Sequence, residues 1–382
     1  MNNYFAPCPR GLEALLAEDV VAHGGQHVKA VGGGVMFAGD WPVCYALNLH
    51  SRIATRVLLR VAAKGYTKED DIYRLALETA WPQWFLPTQT LRVDITAIKS
   101  PLKSLDFVTL RVKDGICDRF RRDCGDVRPS IDTRAPDVRV QVFLTEESCT
   151  LYIDTSGDPL WQRGLRQKSV DAPLKENLAA GILRLAGWQP GVPLLDPMCG
   201  SGTFLLEAAQ MSLDDAPGLG REPGEFAFER LRGFDAGLWR ALRKSAAATR
   251  LPADTLPIWG SDLSADAVAR AGQNLAHAGL DDLVSLARAD ILARAAPQPT
   301  GILIANPPYG ERLGELDELA AFYPKLGTAL KRNFAGWDCW FLSADTRLPK
   351  LIGLKPMRKI PLYNGPLECR LYGFRMVSGS NR

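Results

Sequence analysis

Leu194-Leu195-Asp196-Pro197-Met198-Cys199-Gly200-Ser201-Gly202-Thr203-Phe204 is the stretch that decides how this 382-residue chain is read. An apolar run ends in an acid, a glycine loop follows, and a helical pattern begins. That order is the strand–loop–helix unit of a wound α/β sheet. Gly200 and Gly202 let the backbone approach a ligand with no Cβ in the way. A dinucleotide-binding loop would carry a third glycine three positions on, where this chain has Leu205. Asp196 at the strand end would repel a pyrophosphate and suits a cation instead. Hydride transfer with a nicotinamide cofactor is therefore disfavoured.

Similar units surround this one. Strand candidates are 192–195, 257–261, 284–287, 301–305, 339–342 and 369–376, with helical patterns between most of them. From about residue 190 the chain is therefore expected to form a doubly wound α/β sheet. Trp259-Gly260-Ser261-Asp262-Leu263-Ser264 again ends a strand in an acid. A carboxylate at the end of a second strand can take both ribose hydroxyls of an adenosine. Asp262 comes 66 residues after Asp196 (262 − 196), against roughly 20 in such folds. Residues 214–257, rich in Gly, Pro and charge, are read as an insertion. Asp290 closes a third strand and could accept from an adenine amino group.

Asn306-Pro307-Pro308-Tyr309 closes the next strand, Ile302–Ala305. The Asn306 side-chain oxygen and the Pro307 carbonyl both accept hydrogen bonds, and neither proline donates one. Tyr309 adds an aromatic face. The set suits a flat molecule with an exocyclic amino group; a turn after a buried strand is the plain alternative for the tetrapeptide alone.

The front half has a different texture. Leu12, Leu15, Leu16 and Val20 keep helical spacing, and a strand-like 28–37 run is broken by Gly32-Gly33-Gly34, read as a turn. Leu91, Val93 and Ile95 alternate with polar residues. Val108, Val112, Ile116 and Phe120 recur every four residues, an amphipathic helix. Val138–Leu144 and Cys149–Ile153 alternate on either side of Thr145-Glu146-Glu147-Ser148, a hairpin. The linker to the second half is placed near 157–164.

The composition is that of an ordinary globular chain, and its net charge of +3 announces no nucleic-acid partner by itself. Local clusters carry that argument. Residues 99–122 hold Lys99, Lys103, Arg111, Lys113, Arg119, Arg121 and Arg122 against three acids. Arg111 and Arg122, eleven apart, share a helix face. Arg163, Arg166 and Lys168 follow at the linker, and ten basic residues against three acids lie in 331–382. Eight cysteines without a Cys-x-x-Cys pair argue against a metal site. With no leader-like start and no membrane-length apolar run, a cytoplasmic protein with reduced thiols is expected.

Asp196 with the Gly200-x-Gly202 loop, then Asp262, Asp290 and Asn306–Tyr309, stand in the order of a class I methyltransferase. The chain resembles the THUMP-containing RNA guanine-N2 methyltransferases, most of all the bacterial 23S rRNA enzymes. The resemblance runs through Cys8–Glu13, Ala172–Ala180, Asp196–Thr203, Asn306–Gly310 and Pro361–Arg370. It implies a ferredoxin-like unit (1–50), a THUMP RNA-binding domain (51–160) and a class I S-adenosylmethionine-dependent domain (165–382). The cofactor would be held by Asp196, Met198, Cys199, Gly200, Ser201, Gly202, Thr203, Asp262, Leu263 and Asp290. The amine would be held by Asn306, Pro307, Pro308 and Tyr309. The implied substrate is 23S rRNA or its assembly intermediate, with no membrane and no metal involved. A tRNA guanine-N2 methyltransferase and a non-catalytic ribosome-assembly factor are the alternatives. An adenine-specific DNA methyltransferase shares the Asn-Pro-Pro-Tyr motif but not the front half. The enterobacterial form fuses a second methyltransferase behind this unit, so a single methylation is expected of this chain.

Overall fold

The computed structural model describes residues 1–164, 174–308 and 315–377. They form two compact units, and the chain passes between them more than once. The first comprises Met1–Pro7, Leu16–Leu160 and Arg221–Lys244; the second comprises Cys8–Leu15, Trp161–Gly220 and the chain from Ser245 onward.

The first unit is built on one eight-stranded sheet. Its strands are β1 (Asn2–Pro7), β2 (Gln26–Val31), β3 (Gly34–Gly39), β4 (Leu58–Gly65), β5 (Thr90–Ala97), β6 (Ser130–Ile131), β7 (Val138–Leu144) and β8 (Ser148–Asp154). Their order is β2-β3-β1-β4-β8-β7-β5-β6. The β1–β4 pairing makes the sheet continuous from the N-terminal strands into the later ones. Gly33, at a φ of +83°, turns the chain between β2 and β3 as the glycine run suggested. Val108, Val112, Ile116 and Phe120 are all fully buried on the helix Leu105–Asp123. That helix packs tightly on its neighbour Glu69–Glu78: a Cβ on Gly115 would lie 2.7 Å from the Tyr73 carbonyl oxygen.

Residues 221–244, inside the expected insertion, belong to this first unit. Phe228, Phe234 and Trp239 gather around Tyr45 and Phe226 packs on Phe228 and Trp239, with ring centroids 4.6 Å apart for Tyr45–Phe228 and 4.9 Å for Phe228–Trp239. The Phe228 N–H donates to Thr155 O and the Arg232 N–H to Trp84 O. The segment is thus a piece of hydrophobic core contributed from a distance, held mainly by aromatic burial.

The second unit holds β9 (Leu194–Asp196), β10 (Ile258–Asp262), β11 (Ser285–Arg288), β12 (Gly301–Ala305), β13 (Trp337–Ser343), β14 (Arg358–Asn364) and β15 (Leu367–Arg375). The order is β11-β10-β9-β12-β13-β15-β14. The first five are parallel, and β15 runs antiparallel to both its neighbours. β14 is the strand with no counterpart among the sequence expectations. It is an edge strand with a single buried residue, Leu362, and contains Pro361, so it lacks the regular burial alternation that marks a half-buried strand. Helices Thr203–Ser212 and Ala265–His277 follow β9 and β10. Leu303, Ala305, Trp337, Cys339 and Phe341 of the sheet share a core with Tyr323, Leu326 and Leu330 of the helix Glu315–Asn333.

Three stretches far apart in sequence meet in this unit. A Cβ on Gly11 (φ +93°) would sit 2.5 Å from Pro361 O, Leu12 fills the space beside Gly181, and the Arg10 guanidinium lies 5.6 Å from the Tyr363 ring centroid.

Candidate active site

Strand register brings the singled-out residues to one edge of the second sheet. Leu303 pairs with Leu195, so Asn306, the residue after β12, leaves the sheet at the same end as the glycine loop that follows β9. Gly260 pairs with Asp196, which brings Asp262, two residues further on, to that end too. Asp262 pairs with Arg288 on β11, and Asp290 follows two residues later. Parallel strands lie about 4.8 Å apart, so Asp262 and Asn306 flank the end of β9 at roughly 10 Å from each other.

Asp196 is buried, 2% exposed, and one of its oxygens accepts from the Met198 N–H (3.1 Å). Burial, helped by the nearby Asp262 charge, pushes its carboxyl up to about 8. A carboxylate in this place becomes stable when a cation joins it. The glycine loop is fixed on both sides. The Cys199 N–H donates to Ser261 O (2.9 Å), the Gly200 N–H to Asp262 Oδ2 (3.0 Å), and Asn274 Nδ2 to Ser201 O (3.0 Å). Gly200 (φ +54°) faces open space: a Cβ there would meet nothing within 4 Å. Gly202 (φ +84°) caps the helix Thr203–Ser212 and packs on Ala271. Cys199, Ser201 and Thr203 are buried beneath the loop, and Met198 is half-buried.

Asp262 also has a part in the fold that sequence reasoning did not assign to it. Its Oδ1 accepts from the Ser264 N–H (3.0 Å) while its Oδ2 holds the loop. Each carboxylate oxygen retains acceptor capacity for hydroxyl groups. Leu263, next to it, is 65% exposed at the strand end and offers an apolar surface. Asp290 Oδ1 accepts from the Leu292 N–H (2.9 Å). Asn306 is half-buried, Pro307 buried and Pro308 exposed. Tyr309 lies outside the described residues, as do Arg166, Lys168 and Arg382.

The edge also fits an adenosine carrying a cationic amino-acid end. Among the described residues no cation pairs with the buried Asp196 carboxylate, the space over Gly200 is open, and two acids stand at the ends of successive strands. Arg294, not singled out in the sequence, is half-buried at the end of the turn that Asp290 begins. A basic residue four positions after Asp290 was the only signal for it.

The basic residues sort differently from their sequence clustering. Arg163 is 3% exposed and ion-pairs with the buried Glu207, so it is no surface contact. Arg111 pairs with Asp70 (2.8 Å) and stacks on Tyr73 (4.1 Å to the centroid). Arg119 and Arg122 pair with Asp123, Arg121 with Asp118, and Lys113 with Asp114. Lys99 and Lys103 are exposed and outside these pairs. Arg347 and Arg375 are bound bidentate by Asp345 and Asp338. Among the described residues no group of three His, Cys, Asp or Glu could hold a metal ion, and no helix is long and apolar enough to cross a membrane.

A sheet with five parallel strands, a glycine loop after β9, acids after β10 and β11 and an Asn-Pro-Pro turn after β12 is the arrangement of a class I methyltransferase. Residues 163–373 match the family described as RMKL-like, methyltransferase domain, preceded by a THUMP domain (66–154) and an RlmL ferredoxin-like domain (3–58). The chain belongs to this RMKL-like methyltransferase family. A protein of Synechocystis sp. named as a candidate RNA methyltransferase is 38% identical over 373 residues, covering 98% of this chain and 96% of that one. A ribosomal RNA large subunit methyltransferase K/L of Aeromonas hydrophila is 36% identical over 399 residues, covering 100% of this chain and 55% of the relative. The chain thus spans about half the length of that relative. A solved candidate methyltransferase complexed with SAH superposes with a TM-score of 0.89 at 29% identity over 98% of both chains. A candidate methylase from Clostridium difficile 630 gives 0.91 at 29% over the whole of both.

Proposed function

We propose that this protein transfers a methyl group from S-adenosylmethionine to the exocyclic N2 amine of a guanosine in 23S rRNA. One observation carries the chemistry. Asn306 and Pro307 follow β12 at the same end of the sheet as the glycine loop, on the strand next to β9. The SAH-bound relative supports the cofactor, the THUMP match supports RNA, and the rRNA methyltransferase from Aeromonas supports the substrate.

When bound, S-adenosylmethionine supplies a methyl group on a positively charged sulfur, with a neutral thioether as leaving group. Asp196 would hold its cationic amino-acid end, the open face of Gly200 its backbone-like atoms, Asp262 the ribose hydroxyls and Asp290 the adenine amine, with Leu263 against the ring. The guanine amine is a weak nucleophile because its lone pair is delocalised into the ring. The Asn306 Oδ1 and the Pro307 carbonyl would accept its two N–H groups and turn the lone pair toward the methyl group. No strong acid is needed. The rate then rests on positioning and on preorganised acceptors. The amine proton leaves to solvent after the C–N bond forms. A paired target base must first come out of its stack, and Tyr309 would serve as its stacking partner.

The test is transfer of labelled methyl groups to purified 23S rRNA and to bulk tRNA, side by side, with nucleoside analysis. N2-methylguanosine in 23S rRNA alone supports the proposal. Label in tRNA alone moves the substrate to tRNA. Binding of cofactor and RNA without any transfer, on naked RNA or ribosomal particles, would make the protein a binding factor.

A further inference from the structure

In the first unit, β2 departs from regular pairing with β3. Gln26 faces Ala38 and Lys29 faces Met36, so two residues of β2 oppose one of β3 between those pairs, a bulge. His27 in this bulge holds a φ of +52°, a left-handed conformation uncommon outside glycine. Bulges re-aim side chains. This one sets His27 at a cavity of about 230 Å³ that Asn3, Lys29, Met36, Arg60 and Tyr152 also line. Register explains how these residues meet. Ala38 pairs with Asn3, Asn3 with Arg60, and Arg60 with Tyr152. One row further on, Lys29 pairs with Met36 and Met36 with Phe5. Residues paired across strands share a face, and neighbours along a strand alternate. Asn3, Lys29, Met36, Ala38, Arg60 and Tyr152 therefore stand on one face. Tyr4, Val35, Phe37 and Leu59 point the other way and are buried there.

Charge on this face is uneven. Arg60 is half-buried and Lys29 exposed. Among the described residues neither forms an ion pair, and no acid lines the cavity. The acids further along the same face are already held: Asp154 by Arg56, and Asp94 by Arg92 and Arg139. Two cations thus converge on one concave spot, with the His27 ring beside them. Like charges gathered without an acid repel each other, and an anion placed between them is attracted by both. An arginine fork and a lysine ammonium are the donors suited to a phosphate group. Met36 and Ala38 beside them are apolar, so the charges are screened less than at an open surface. The volume equals that of about seven to eight waters, enough for a phosphate and the start of its ester group.

We propose that this cavity on the eight-stranded sheet is a phosphate-binding site, with Arg60 and Lys29 as its charged donors and Asn3 and His27 as further donors. The same donor set serves a phosphate of an RNA backbone and that of a free phosphorylated small molecule. The site goes beyond the methyl-transfer reading and does not rest on it: every residue in it belongs to the first unit.

The experiment compares the full chain with two double variants. Lys29→Gln with Arg60→Gln removes both charges and keeps much of each stem; Lys29→Arg with Arg60→Lys keeps the charges. Melting temperature is followed in inorganic phosphate and in chloride at equal ionic strength. A labelled single-stranded oligoribonucleotide is then titrated at several salt concentrations. Phosphate is expected to raise the melting temperature of the wild type, as a ligand bound only by the folded state must. The charge-removing variant, folded in chloride, should lose most of that rise, and the charge-keeping variant should retain it. With RNA as the source, the charge-removing variant also binds the oligonucleotide about tenfold more weakly, the size of one charge-assisted contact. Its log–log salt slope then falls by about 1.4, the value for two single-strand phosphates. Loss of the phosphate effect with RNA affinity unchanged assigns the site to a free phosphorylated molecule. An equal phosphate effect in the wild type and the charge-removing variant, or none in the wild type, overturns the proposal.

Discussion

If Asp196 receives the cofactor's ammonium, binding must release a proton. In the empty protein burial pushes this carboxyl up to about 8, from an ordinary value of 3.8. The folded value is raised, so the stability Asp196 contributes to the empty protein is fully present below about pH 4 and is lost as pH rises through about 8. At pH 7 the group is therefore about 90% protonated, and at pH 6 about 99%. A ligand that requires the carboxylate then binds about ninefold more tightly at pH 7 than at pH 6, and releases about 0.9 proton per site at pH 7. Titration with S-adenosylhomocysteine in two buffers of different ionisation enthalpy measures that proton directly. Asp196→Asn should abolish both the release and the pH dependence while weakening binding at pH 7.5. A wild-type release near zero at pH 7, or the same release from Asp196→Asn, would refute the role assigned to this carboxylate.

Other expectations follow from single contacts. Asn306→Ala should lower the single-turnover methylation rate by about 100-fold, the scale of a lost preorganised hydrogen-bond partner, with S-adenosylhomocysteine affinity unchanged; equal losses in both would count against its place at the amine. Gly202→Ala must hold a φ of +84° with its Cβ 3.3 Å from that of Ala271, and should cost about 1–2 kcal/mol in denaturant unfolding. Phe228→Ala empties the fully buried centre of the aromatic cluster, and should cost about 3–5 kcal/mol while the folded protein binds S-adenosylhomocysteine normally. If RNA binds the first unit, Lys99→Glu with Lys103→Glu should weaken RNA binding and flatten its salt dependence by about two ions, whereas Arg111→Glu should first lower thermal stability by breaking the Asp70 pair; intact RNA affinity in the lysine double variant would place the contact elsewhere.

Local pattern carried much of this molecule in its sequence. Val108, Val112, Ile116 and Phe120 are buried because a helix returns every fourth side chain to one face, and Val138–Leu144 is alternately buried because a strand returns every second. The glycine loop and the Asn306-Pro307-Pro308 turn were legible for the same reason: each is a short run whose chemistry and backbone demands are contained within itself. The tertiary structure decided what depends on partners distant along the chain. Cys8–Leu15 joins the second unit, and Arg221–Lys244, read only as an insertion, completes the aromatic core of the first. Edge strand β14 exists because β15 pairs with it, not because its own sequence alternates. Arg111 and Arg163, which looked alike as surface charges, are bound by Asp70 and Glu207. Asp196 acquires its raised proton affinity from burial. Periodicity along a chain encodes which face is buried, whereas the pairing of a charge is settled only by what the completed fold brings next to it.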